Sequence, residues 1–225
     1  MLEIFNLNDL QTKQFQDYFL FLISENQKYN LTAITKPEEV FIKHFEDSLY
    51  VSKFFDFTKP LTLLDVGSGA GFPAIPLAIL YPSLKVTIVE PTTKKVRFLE
   101  LLIDKLALKN VSLINKRAED LEAKYRHYFD VSMARALAPM AMLLELIIPY
   151  TKTKGCFFAM KSLNYEAELS QAQNALTKLK CEIKEIYTYQ LSLDMGSRVI
   201  IKVLKKEPTP GIYPRQFAQI KQKPL

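Results

Sequence analysis

One segment, Leu63-Leu64-Asp65-Val66-Gly67-Ser68-Gly69-Ala70-Gly71-Phe72-Pro73, limits the folds open to this chain more than any other. An apolar run enters three closely spaced glycines, and a proline suited to a first helical turn follows, which predicts strand, tight turn and helix in succession. Glycine tolerates positive φ and lets the main chain approach a ligand with no Cβ in the way, while a helix start offers unpaired N–H groups. A ligand is therefore expected over the turn. A dinucleotide fingerprint, G-x-G-x-x-G, would place its third glycine at position 72, where this chain has Phe72. The spacing G-x-G-x-G thus argues against a nicotinamide dinucleotide.

Beyond Pro60 the same grammar repeats. β-type runs at 61–66, 85–90, 111–115, 129–134 and 155–161 alternate with helical patterns near 73–80, 93–108, 139–149 and 164–179. Such alternation predicts an α/β fold with a mostly parallel sheet and helices on both faces. The runs at 181–190 and 197–204 have no helix between them, so they are expected to pair antiparallel at one edge, giving seven strands. Ahead of the sheet, Asn8 caps a helix reaching Asn30, with Leu10, Phe15, Phe19, Leu22 and Ile23 at helical spacing. A second helix is expected over 37–53, opened by Pro37, with Val40, Phe41, His44, Phe45, Ser48 and Leu49 on one face. The division expected is an N-terminal helical extension (1–59) packed on the core, a core (60–206), and a basic, proline-rich arm (207–225), all in one structural unit.

The chain has 225 residues and a net charge of +6, with six basic residues from Lys202 onward (Lys202, Lys205, Lys206, Arg215, Lys221, Lys223) opposed by Glu207 alone. That imbalance suits a polyanion, although a basic tail is as often simply solvated. No apolar stretch approaches a membrane span and no leader pattern opens the chain, so a cytoplasmic protein is expected. Cys156 and Cys181 form no C-x-x-C pair and read as reduced packing residues. His44 and His127 lack a metal-ligand partner, so no metal is expected; His44 reads as packing and His127 as solvent-exposed.

The G-x-G-x-G spacing with Asp65 just upstream is the pattern of the first motif in class I methyltransferases, whose cofactor is S-adenosylmethionine. Glu90 ends the second strand, where a carboxylate can accept from both ribose hydroxyls. Arg117-Ala118-Glu119-Asp120 follows the third strand and suits contact with an adenine ring, although an acidic helix start explains it equally well. Arg135 ends the fourth strand, where it would reach the cofactor carboxylate or an RNA phosphate, or serve structure alone.

Together with Asn30-Leu31-Thr32-Ala33-Ile34, His44-Phe45-Glu46-Asp47-Ser48-Leu49, Arg117-Ala118-Glu119, Ala134-Arg135-Ala136, Tyr213-Pro214-Arg215 and Pro224-Leu225, these residues make the chain resemble the ribosomal small-subunit methyltransferase G (glucose-inhibited division protein B) family. The resemblance runs over nearly the whole chain. It implies methyl transfer from S-adenosylmethionine to N7 of one guanine in 16S rRNA near the decoding region. The cofactor-binding residues expected are Gly67, Gly69, Gly71, Phe72, Glu90, Ala118, Glu119 and Arg135. RNA contacts are expected at Arg135, Lys161, Arg198, Tyr213 and Arg215, with 16S rRNA or the small subunit as partner and a monomer as the working form. The sequence departs from the family pattern at Ala74, Pro91, Ser162, Ala218 and Ile220.

Guanine N7 offers a lone pair and carries no proton at neutral pH, so no general base and no catalytic side chain are expected. The segment leaving the fourth strand, Ala134 to Pro139, lacks the Asn/Asp-Pro-Pro-aromatic motif of exocyclic amine methylation, and neither cysteine is placed for cytosine C5 chemistry. Two alternatives stay open: a methyltransferase acting on another RNA, a small molecule or a protein, and a cofactor-bound ribosome-assembly protein that transfers nothing.

Overall fold

The computed structural model describes residues 2–225. Helix α1 (Asp9–Tyr29) starts where Asn8 accepts from the Gln11 N–H at 2.9 Å while the Gln11 side chain accepts from the Asn8 N–H at 3.1 Å, a reciprocal capping box. It stops at Asn30, which takes a left-handed conformation. The run over 37–53 is one helical path of changing pitch: α2 (Pro37–Val40), a π-helical stretch Phe41–Glu46, α3 (Asp47–Leu49) and a 3-10 turn Tyr50–Lys53. Widening to π pitch accommodates an extra residue within the helix, a feature frequent at functional sites, and here it carries His44.

The sheet comprises β1 (Thr62–Val66), β2 (Lys85–Val89), β3 (Val111–Ile114), β4 (Phe129–Arg135), β5 (Thr151–Lys161), β6 (Cys181–Gln190) and β7 (Ser197–Lys205), in the spatial order β3-β2-β1-β4-β5-β7-β6. The first five are parallel, and β7 runs antiparallel between β5 and β6. Strand order reverses at β1, so the crevice beyond its carboxyl end is where an open α/β sheet receives a ligand.

Helices α4 (Ala74–Leu80) and α5 (Thr93–Lys105) join α1 on one apolar core, where Phe15, Tyr18, Phe45 and Leu49 pack with Leu63, Ile88 and Val131 of the strands. The N-terminal helices thus share a core with the sheet. A second core holds α6 (Met140–Ile147), α7 (Glu166–Gln171) and α8 (Gln173–Leu179), with Leu143, Leu176 and Ile201 among its members. The helical pattern at 164–179 splits in two at Ala172, and the one at 139–149 tightens to a 3-10 turn at Ile148–Tyr150.

The C-terminal segment departs from a solvated basic tail. Lys205 is fully buried, donating to the Ile148 and Thr151 carbonyls at 2.7 Å each and lying 2.8 Å from His127 Nδ1. His127 is therefore half-buried and partnered, not simply exposed. Lys202 pairs with Glu185 and Lys206 with Glu182 across the β6–β7 edge. After the proline-rich stretch the chain forms α9 (Phe217–Gln222), which packs Ile220 into the second core. Both cysteines are buried free thiols, and burial pushes the Cys181 thiol up to about 12. No helix among the described residues is long and apolar enough to cross a membrane, and no group of metal-ligating side chains occurs among them.

Candidate active site

β1 delivers the chain into the glycine turn at the switch point, and all three glycines take positive φ (73°, 62° and 103° at Gly67, Gly69 and Gly71). Their surroundings differ. A Cβ on Gly69 would meet nothing within 4 Å, whereas one on Gly71 would lie 2.7 Å from the Tyr18 hydroxyl and from Ile75 Cγ1. One on Gly67 would strike Leu137 Cδ1 at 2.6 Å. Gly69 thus faces open space, while the glycine at 71 is required by packing against α1.

The turn is held from three directions. Glu90 is almost wholly buried and accepts from the Gly69 N–H at 3.1 Å and from the Thr92 N–H at 3.0 Å, which fixes its carboxylate at the end of β2. Tyr18, fully buried on α1, donates to the Ala70 carbonyl at 2.5 Å and stacks on Phe72 with ring centroids 5.4 Å apart. His44 also stacks on Phe72, at 4.6 Å, and the Arg135 guanidinium lies 4.8 Å from the Phe72 ring centre.

Arg135 is anchored from the helical segment ahead of the sheet. Its Nη1 donates to Asp47 Oδ2 at 3.0 Å and to the Lys43 carbonyl at 3.3 Å, and its Nη2 meets His44 Nδ1 at 3.4 Å. Arginine can only donate, so Nδ1 accepts and the imidazole proton sits on Nε2, which is 2.9 Å from Thr32 Oγ1. Burial, reinforced by the nearby Arg135 charge, pushes the His44 ring down to about 3, so it stays neutral. Asp47 also accepts from the Tyr189 hydroxyl at 2.7 Å, and Arg198 Nε lies 4.0 Å from it. Burial and the Asp47 carboxylate hold the Tyr189 phenol well above its ordinary range.

Three adjoining cavities meet around this core. One of about 180 Å³ lies over the turn between Ser68, Gly69, Thr32, His44 and Arg135. A slot of about 140 Å³ runs between Val66, Val89, Ala118, Glu119 and Leu146, sharing Gly67 with the first. A larger cavity of about 580 Å³ opens beyond Arg135 toward Lys161, Tyr189 and Arg198.

The geometry sorts the expected residues. Gly67, Gly69, Phe72, Glu90, Ala118, Glu119 and Arg135 converge on the turn and its two flanking cavities, whereas the bare Cα of Gly71 faces Tyr18 and Ile75. Arg135, Lys161 and Arg198 line the large cavity together. Lys161 is not a free cation, since its Nζ donates to Glu168 Oε2 and to the Ala138 carbonyl at 2.6 Å each. Tyr213 and Arg215 lie apart from all three cavities. Tyr213 is buried in the second core, and Arg215 makes a double contact with the fully buried Glu145, Nε to Oε1 at 2.7 Å and Nη2 to Oε2 at 2.6 Å. Its guanidinium fastens the arm instead of facing solvent.

Tyr18, His44, Asp47 and Tyr189 were not among the expected site residues. His44 and Asp47 did stand in a quoted motif, and their spacing of three places them on one helical face. Nothing local in sequence marks Tyr18 or Tyr189, because their partners lie 52 and 142 residues away.

Residues 11–194 match the family described as rRNA small subunit methyltransferase G. A Staphylococcus aureus protein named ribosomal RNA small subunit methyltransferase G is 44% identical over 220 residues, covering 97% of this chain and 92% of that protein. A protein of the same name from Oceanobacillus iheyensis is 42% identical over 222 residues, covering 98% and 93%. The crystal structure of an S-adenosylmethionine-dependent methyltransferase from Aquifex aeolicus superposes with a TM-score of 0.57 at 17% identity, over 81% of this chain and 98% of that one, a likeness of fold.

Proposed function

The chain belongs to the rRNA small subunit methyltransferase G family, and on that premise we propose that it transfers a methyl group from S-adenosylmethionine to N7 of a guanine in 16S rRNA. The observation that carries the cofactor assignment is the bare Gly69 facing open space, with the buried Glu90 carboxylate clamped against its N–H. Ser68 Oγ is buried at the same turn, beside the Asp65 carboxyl. These residues fit the group: Glu90 would take the ribose hydroxyls, the slot at Ala118 and Glu119 the adenine, and Arg135 the amino-acid carboxylate.

When bound, the cofactor supplies an electrophilic methyl on a sulfonium. Guanine N7 brings its own lone pair, so the protein's part is to align the reactants, an effect worth on the order of 7–11 kcal/mol when geometry is good. The Arg135–Asp47 pair suits a product ring that becomes cationic. Asp47, 3.0 Å from Arg135, offsets the guanidinium charge, and the neutral His44 adds none. In this reading residues 60–206 form the methyltransferase core, 1–59 contribute Tyr18, His44 and Asp47, and 207–225 are an arm. Arg198 would meet RNA phosphate at the large cavity, on naked rRNA or on the small subunit, with the enzyme acting as a cytoplasmic monomer.

The test is transfer of labelled methyl to small subunits that lack the modification, followed by mapping of the labelled nucleotide. Label on guanine N7 of 16S rRNA is expected. Label at another atom, or cofactor binding with no transfer, overturns the proposal.

A further inference from the structure

The arm reaches the cofactor site from behind. It leaves β7, runs past Lys180, whose carbonyl accepts from the Lys206 N–H at 2.9 Å, and is gripped by Arg126, which donates to the Tyr213 carbonyl at 2.6 Å. The buried Glu145 on α6 then takes three hydrogen bonds from Arg215, one from its N–H at 3.0 Å and two from its guanidinium. A fully buried carboxylate held by a paired guanidinium is a fixed point, since separating the two would leave a charge stranded in an apolar surround. Two residues beyond it, Phe217 opens α9 and lines the 140 Å³ slot opposite Val66, Val89 and Ala118. Its ring is braced by the Arg117 guanidinium, 4.8 Å from the ring centre.

We infer that the C-terminal arm is a wall of the cofactor site, with Phe217 as the aromatic residue that contacts the adenine ring and the Glu145–Arg215 pair as the clasp that seats it. This rests on the cofactor reading above and adds a binding residue to it. A slot with aliphatic walls and one braced aromatic ring suits a flat heterocycle, which gains dispersion from the walls and a π contact from the ring.

The chain contains no tryptophan, so Phe217→Trp creates a single fluorescent reporter at the slot. Saturating S-adenosylhomocysteine is expected to quench or shift its emission. Adenosine is expected to do the same and methionine to leave it unmoved. Phe217→Ala is expected to weaken S-adenosylhomocysteine by on the order of 5- to 100-fold in calorimetry, with its unfolding transition retained. If the unsubstituted protein binds no S-adenosylhomocysteine, the cofactor reading itself fails. If it binds, but Phe217→Ala binds equally well and the tryptophan emission is indifferent to ligand, the arm inference alone is overturned.

Discussion

Replacing Asp65 by Asn should change the pH dependence of stability in a calculable way. Asp65 lies one residue before the end of β1 and is fully buried. Burial pushes its carboxyl from 3.8 up to about 7, against the smaller opposing effects of Ser68 and Arg135. Between those two pH values the folded protein holds a proton that the unfolded chain has released, so stability falls as pH rises and the loss is complete above about 7. At 1.36 kcal/mol per pKa unit, the full loss is on the order of 4 kcal/mol. His44 acts in the opposite sense. Its ring is pushed from 6.5 down to about 3, so its contribution is present above 6.5 and fades as pH falls through the acid range. In the wild-type protein the two slopes oppose each other over much of the interval from 3.8 to 6.5. Asp65→Asn removes only the first. Its stability relative to wild type, from urea unfolding between about pH 4.5 and 8.5, should therefore climb with pH and level off above 7. A difference flat to within about 1 kcal/mol across that range would refute a protonated carboxyl beneath the turn.

Gly69→Val should abolish S-adenosylhomocysteine binding in calorimetry because the side chain enters open ligand space, and its positive φ should cost about 1–2 kcal/mol of stability without unfolding the protein; retained affinity would move the cofactor elsewhere. Asp47→Ala leaves the half-buried Arg135 charge without its carboxylate, so a loss of about 1–3 kcal/mol is expected in denaturant unfolding. Arg198 is about a third exposed at the large cavity, so Arg198→Ala should weaken subunit binding and lower the salt-dependence slope by about one in a filter-binding titration, with S-adenosylhomocysteine affinity kept.

Much of the fold was written locally. The Asn8 and Gln11 capping box, the glycine turn, the alternation of strands with helices and the antiparallel hairpin at 181–205 each depend on neighbours in sequence, and each is found within a few residues of its expected bounds. What escaped depends on long-range partners. Arg215 was expected to meet RNA, and only the tertiary structure brings it against Glu145, 70 residues away. Lys205 counted toward a basic tail although it is buried beneath carbonyls that end the α6 region. The charge of a residue is visible in sequence, but whether folding satisfies that charge is not.

The same distinction separates what the sheet supplies from what completes the site. Parallel strands meeting at a switch point offer mainly main-chain edges, and the glycine turn adds a bare backbone; Glu90, Arg135 and Lys161 are charged side chains that the strand ends contribute. The remaining aromatic and ionic contacts come from outside the first five strands: Tyr18 and His44 on Phe72, Asp47 on Arg135, Tyr189 from the antiparallel edge. The likeness to the Aquifex aeolicus structure at 17% identity is one of fold alone. Orientation of the reacting base would then be controlled by residues 1–59 and the β6–β7 edge. Substitutions on the β6–β7 edge should alter turnover on RNA more than affinity for S-adenosylhomocysteine, the reverse of the pattern at Gly69.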